Sequence, residues 1–217
     1  MIVDERITAY INTLVTDMPE TLKSIEKEAL ADGVPIIRTE TGTFLKTILA
    51  MHRPKNILEV GAAVGFSAIF MTQYIENTCH ITTIERMEER IIKAKENISL
   101  AEKQDQITLL EGDALEILQG LSGQAQSYDF IFMDAAKAQY MNYLPEIMKL
   151  LPVGGILVTD NVLQDGTVAE SRYGVIRRDR TIHQRMREYL YALTHMEELE
   201  TSVIPVGDGV TLSVRVK

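Results

Sequence analysis

The sequence predicts an α/β fold: a seven-stranded, mostly parallel sheet with helices on both faces and an antiparallel hairpin at its C-terminal edge. Three observations predict it. Beyond Pro54, short apolar runs alternate with amphipathic segments, the pattern of parallel strands joined by crossover helices. Before Pro54, apolar residues recur at three and four positions, as they do along one face of a helix. At the end, two β-rich runs, ETSVIPV and VTLSVRV, flank Gly207-Asp208-Gly209, a hairpin signal.

Taken in order, ERITAYINTLV, TLKSIEKEAL and TGTFLKTILAM are N-terminal helices, so residues 1–52 form a helical part ahead of a core over 53–217. In the core, strand KNILEVG is followed by helix FSAIFMTQYI, HITTIE by MEERIIKAKENISLAE, and QITLLEGD by ALEILQGL. YDFIFMD then precedes QYMNYLPEIMKLL, and GGILVTDN precedes a long polar helix over about residues 176–194. No linker or composition shift divides the chain, which predicts one domain over 1–217.

Composition narrows the function classes. A formal net charge of −9 argues against indiscriminate binding to nucleic acid or an anionic membrane, while leaving room for a local basic patch. No apolar run is long enough to cross a bilayer, and MIVDERITAY carries acids where a signal peptide needs positive charge, so a cytoplasmic location is expected. The single cysteine, Cys79, permits neither an internal disulfide nor a thiolate metal cage. His52, His80, His183 and His195 lack metal-ligand spacing, and the ten methionines read as core filler.

In sheets of this kind ligands gather at the carboxyl ends of the strands, where loops surround a crevice. The first strand runs into EVGAAVGFS, where Gly61 and Gly65 permit a tight turn and Ser67 can cap or hydrogen-bond at the next helix. The second ends in Glu85, an acid placed to accept hydrogen bonds from both hydroxyls of a ribose. The third ends in EGDALEIL, which sets Asp113 and the backbone of Ala114 against a base ring. Singly, these residues are explained by a turn, a helix-start acid and an N-cap. In succession they point to a nucleoside site. The G-x-G-x-x-G spacing of dinucleotide enzymes is missing, because Gly61 and Gly65 are four apart with Ala62 and Ala63 between them.

The stretch IFMDAAKAQY puts Asp134 at the end of the fourth strand, and VTDNV puts Asp160 and Asn161 at the end of the fifth. Neighbouring strands lie about 5 Å apart, so these oxygens can converge on one ion. Two carboxylates and an amide form a hard set suited to Mg²⁺, with Ca²⁺ or Mn²⁺ as alternatives. Lys137, one helical step beyond Asp134, is a candidate general base, since a nearby cation disfavours the ammonium form. A helix cap with a solvated lysine, and a turn, account for the same residues taken singly.

With these residues in view, the chain resembles the S-adenosylmethionine-dependent methyltransferases, class I enzymes with a Rossmann-like sheet and an antiparallel seventh strand. Asp-x-x-Lys after the fourth strand, Asp-Asn after the fifth and PVGDG near the end are similar to the metal-dependent O-methyltransferases of the catechol and caffeoyl-CoA type, from about Pro35 onward. The resemblance implies metal ligands Asp134, Asp160 and Asn161, with Lys137 as the catalytic base. It implies cofactor contacts at Gly61, Ser67, Glu85, Asp113, Ala114 and Asp134, and a backbone contact at Ile37. It also implies a homodimer, with the N-terminal helices as a plausible contact. The acceptor must offer a hydroxyl beside a second oxygen.

Residues 172–187, RYGVIRRDRTIHQRMR, hold six of the twelve arginines and no lysine. One reading is a solvated helix face or a dimer contact; the other is a phosphate-rich acceptor met by Arg172, Arg177 and Arg178. Small bacterial members of the family with the same ILEVGxxxGFS, MDAAK, TDNVL and PVGDG segments are similar to tRNA methyltransferases that convert 5-hydroxyuridine to 5-methoxyuridine. The favoured expectation is therefore the wobble 5-hydroxyuridine of a tRNA anticodon loop, a single nucleotide that can be splayed into a pocket. The alternatives are a small catechol-like or caffeoyl-type phenol, and a binding module that holds a nucleoside without turnover.

Overall fold

The computed structural model describes residues 2–217. Its sheet contains β1 (Asn56–Val60), β2 (His80–Glu85), β3 (Ile107–Glu111), β4 (Phe130–Met133), β5 (Ile156–Thr159), β6 (Leu199–Ile204) and β7 (Val210–Arg215). Their order is β3-β2-β1-β4-β5-β7-β6, parallel through β5 and antiparallel where β7 pairs with β5 and β6. The direction of winding reverses between β1 and β4, and a crevice opens beyond the carboxyl ends of strands at such a switch point.

Helices α1 (Glu5–Thr13), α2 (Glu20–Ala31) and α3 (Thr39–His52) precede the sheet. Arg53 ends α3 in the left-handed region at φ 51°, and Pro54 cannot continue the helix. The crossovers are α4 (Phe66–Thr72), α5 (Glu88–Leu100), α6 (Ala114–Gly123) and α7 (Tyr140–Leu150), with α8 (Arg180–His195) ahead of the hairpin. The polar helix expected over about 176–194 starts later, because Arg177–Asp179 forms a separate 3-10 turn entered from an extended Ile176. Lys137 likewise opens a 3-10 turn, Lys137–Gln139, instead of lying one step along an α-helix.

Alternation along the central strands divides the core between the two faces. Ile57, Phe130, Phe132 and Val158 pack with Leu22, Leu45 and Phe70 on one side. Leu58, Val60, Ile131, Met133 and Leu157 pack with Leu144, Ile147 and Tyr189 on the other. Each fully buried apolar side chain contributes about 1.5–3 kcal/mol, and these layers hold the strand ends in register. Below the site, Asp129 accepts from the backbone N–H groups of Lys55 and Asn56, both at 2.9 Å, which ties the start of β4 to that of β1. At the periphery, α1 buries none of its residues and leaves Ile7, Tyr10 and Ile11 exposed. Among the described residues no helix is long and apolar enough to cross a membrane.

Candidate active site

A cleft of about 530 Å³ lies over the switch point and is lined by Ile37, Gly61, Ser67, Glu85, Ala114, Asp134, Lys137 and Asn161, among others. Of the residues expected at the cofactor or the metal, Asp113 and Asp160 do not line it.

The turn after β1 is built on its neighbours. Gly61 and Ala62 both donate to the Ile84 carbonyl, at 3.1 and 2.9 Å, and Gly61 adopts φ 105°, a region that favours glycine. Gly65, at φ 79°, takes the N-cap position of α4, so Ser67 is not a cap. Ser67 instead acts on the buried carboxyl of Glu59. The Glu85 carboxylate is engaged by the N–H groups of Ala63, Arg86 and Met87 at 2.8–2.9 Å, which fixes it at the cleft wall. Asp113 caps α6, accepting from Leu115 N at 2.9 Å and Glu116 N at 3.4 Å, and thereby aims Ala114 at the cleft. Asp113 Oδ2 lies 3.9 Å from Arg86 of the cleft wall, and Ala114 supplies the wall itself.

Asp134 and Asp160 each follow a paired residue, Met133 opposite Thr159, so they leave adjacent strands side by side. Asp134 N donates to Val60 O and Asp160 N to Met133 O, each at 3.0 Å. Burial pushes the Asp134 carboxyl up, opposed by Lys137 and reinforced by Asp208. Burial, then the charge of Asp134, pushes Asp160 up to about 7. Asp160 accepts from Asn161 N at 2.7 Å through Oδ1, whereas its Oδ2 is buried with no hydrogen-bond partner. Asn161 sits at φ 58°, a conformation tolerated by its short amide. Among the described residues no three His, Cys, Asp or Glu side chains cluster as a metal cage. The oxygens that stand at these two strand ends are those of two carboxylates and an amide. A buried acid with an unpartnered oxygen, beside a half-buried acid that repels it, fits a hard divalent cation.

Three features escaped the sequence reading. Glu59, an acid inside ILEVG, is wholly buried, donated to by Thr83, and pushed up to about 7 chiefly by burial. Its signal was a charge in an otherwise apolar strand. Asp208, read from the sequence only as part of the hairpin turn and of PVGDG, lines the cleft and accepts from Asp165 N, while Arg38 reaches Asp165 at 3.3 Å and Asp208 at 4.0 Å. The hairpin turn thereby holds the loop that follows Asn161, since Val162 N and Leu163 N also donate to Gly209 O and Asp208 O. The third is Tyr140, whose hydroxyl touches both acidic strand ends.

The arginine segment divides. Arg180 donates to Val175 O at 3.1 Å, Arg185 to Ala138 O at 2.7 Å, and Arg187 to Val168 O and Glu170 O at 3.2 and 3.4 Å. These three cations hold loops together. Arg177 and Arg178 lie on the exposed 3-10 turn, with Arg178 3.6 Å from Asp179, and Arg172 lines a separate groove beside α8. None of the three lines the cleft.

The O-methyltransferase family model matches residues 12–216. A caffeoyl-CoA O-methyltransferase of Eucalyptus gunnii is 31% identical over 204 residues, covering 92% of this chain and 82% of that one. Among solved structures, a candidate caffeoyl-CoA O-methyltransferase from Staphylococcus aureus superposes with a TM-score of 0.89 at 30% identity, covering 97% of this chain and 100% of the other. An O-methyltransferase from Bacillus cereus in complex with SAH, 24% identical, shares the fold with a TM-score of 0.85 over 97% of each chain. With the family model spanning nearly the whole chain and a cleft at the expected strand ends, the protein belongs to the S-adenosylmethionine-dependent O-methyltransferase family.

Proposed function

We propose that the protein is a Mg²⁺-dependent O-methyltransferase acting on a hydroxyl with a second oxygen beside it, and that its favoured acceptor is 5-hydroxyuridine at the wobble position of tRNA. The observation that carries the metal chemistry is the adjacent pair Asp134 and Asp160, with Asp160 Oδ2 buried and unpartnered. When bound, Mg²⁺ supplies a Lewis acid for the acceptor's two oxygens. Asp134, Asp160 and Asn161 would hold it. Lys137, on the cleft wall, would take the acceptor proton as the carbon–oxygen bond forms and the carbon–sulfur bond of the sulfonium breaks. The turn at Gly61, together with Ile37, Ser67, Glu85 and Ala114, would hold the donor in line.

Support for an RNA acceptor comes from Arg172, Arg177 and Arg178. They ride on a segment that Arg185 ties to the loop after Lys137 and Arg187 ties to the loop after Asn161. Cations there would meet a flanking phosphate backbone. The second reading, a small chelating phenol, is favoured by the caffeoyl-CoA O-methyltransferases among the relatives. A homodimer through the N-terminal helices is part of the proposal, supported by the exposed apolar residues of α1.

The test is methyl transfer from labelled S-adenosylmethionine, with and without Mg²⁺, to tRNA containing 5-hydroxyuridine and to a simple catechol. Metal-dependent label in the tRNA, far above the catechol, is expected. Label in the catechol alone would overturn the RNA acceptor and leave the phenol reading.

A further inference from the structure

We propose that Tyr140 is a positioning residue that sets the two acidic strand ends for the divalent cation, an inference that rests on the metal-dependent reading above. Tyr140 opens α7 and is fully buried beneath the site. Its hydroxyl accepts from Ala135 N at 3.2 Å and donates to the Asp160 carbonyl at 3.3 Å. Ala135 directly follows Asp134, so one oxygen joins the chain just beyond β4 to the chain just beyond β5. The last ladder bond between these strands is Asp160 N to Met133 O. Tyr140 supplies the next connection outward, where the ladder stops and the candidate ligands begin.

The bond to Asp160 has a directional consequence. Asn161 must adopt a left-handed conformation at φ 58°, and the preceding peptide is held at its carbonyl by Tyr140 and at its N–H by Asp160 Oδ1. With Oδ1 committed, Oδ2 is the oxygen left for a cation. The tyrosine itself is pinned: Tyr189 meets it edge-on at 5.3 Å and is in turn bonded to Thr159 Oγ1 at 2.7 Å. Burial raises the Tyr140 hydroxyl well above its usual range, so it stays a neutral donor.

The experiment is Mn²⁺ binding, read by loss of the free-ion electron paramagnetic resonance signal without donor or acceptor, beside SAH affinity by calorimetry and thermal unfolding. Tyr140→Phe keeps the ring and removes the hydroxyl. It is expected to weaken Mn²⁺ about tenfold, the lower end for loss of a group that orients a metal ligand, with SAH affinity within twofold. Tyr189→Phe, which removes a hydroxyl bonded to Thr159 and to neither acidic strand end, is expected to leave Mn²⁺ affinity within twofold. An unchanged Mn²⁺ affinity in Tyr140→Phe, or equal losses in the two variants, would overturn the positioning role. Absence of Mn²⁺ binding by the wild-type protein would overturn the metal reading, and this role with it.

Discussion

Gly61 packs its α-carbon against the carbonyl of Asp134 so closely that a β-carbon there would stand 2.1 Å from the oxygen. The glycine of the first turn and the acid of the fourth strand therefore share one close approach, which couples the turn after β1 to the strand end that carries Asp134. Gly61→Ala must displace one or the other and must also adopt φ near 105°. We expect a loss of roughly 2–4 kcal/mol in denaturant unfolding and at least a ~100-fold fall in turnover. Turnover within twofold of wild type would show that the approach does not matter.

Asp160 is buried and lies off the donor cleft, so its removal should touch the cation more than the donor. Asp160→Ala is expected to abolish Mg²⁺-stimulated methyl transfer while SAH affinity, by calorimetry, stays within about threefold, since Asp160 does not line the donor cleft. Retained metal stimulation would remove Asp160 from the site.

Glu59 predicts a pH dependence. Its carboxyl is raised from the ordinary 4.5 to about 7, mainly by burial, so the folded state holds its proton more tightly than the unfolded chain. The stabilisation is present below about 4.5 and is lost as pH rises through about 7. The size is about 3 kcal/mol over that window. Asp134 and Asp160 act in the same direction, so the test is the difference between wild type and Glu59→Gln in metal-free unfolding at pH 5 and pH 8. The variant should lose less stability on going to pH 8; an equal loss would place the titration elsewhere.

Arg177 and Arg178 are where the two proposed acceptors should respond differently. Replacing both with alanine should raise KM for tRNA about tenfold or more, with a salt slope lowered by about one to two, and should change catechol methylation less than twofold. Equal effects on both acceptors would assign the arginines to the fold.

The architecture was legible because the central strands are almost wholly buried and therefore read as short, largely apolar runs, ILEV and FIFM, bounded by helices of clear period. The strand ends were legible for the same reason: a run of apolar residues that stops at Asp134 or Asp160 advertises the place where the sheet meets a crevice. Strand order was not, since parallel strands separated by helices pair by tertiary packing that leaves no local trace. Nor was the division of labour inside the arginine segment. Arg185 and Arg187 differ from Arg177 only in what lies across from them, carbonyls of Ala138, Val168 and Glu170 in one case and solvent in the other. Tyr140 reads as another aromatic of an amphipathic helix until β5 is set beside β4 and its hydroxyl is found between them.

The most direct measurement of the central claim is a crystal structure with SAH and Mn²⁺, with anomalous scattering collected for manganese. The account predicts one anomalous peak within about 2.5 Å of oxygens of Asp134, Asp160 and Asn161, and SAH along the wall formed by Gly61, Ser67, Glu85 and Ala114. SAH in that cleft with no peak at the two acids, or a peak elsewhere, would contradict it.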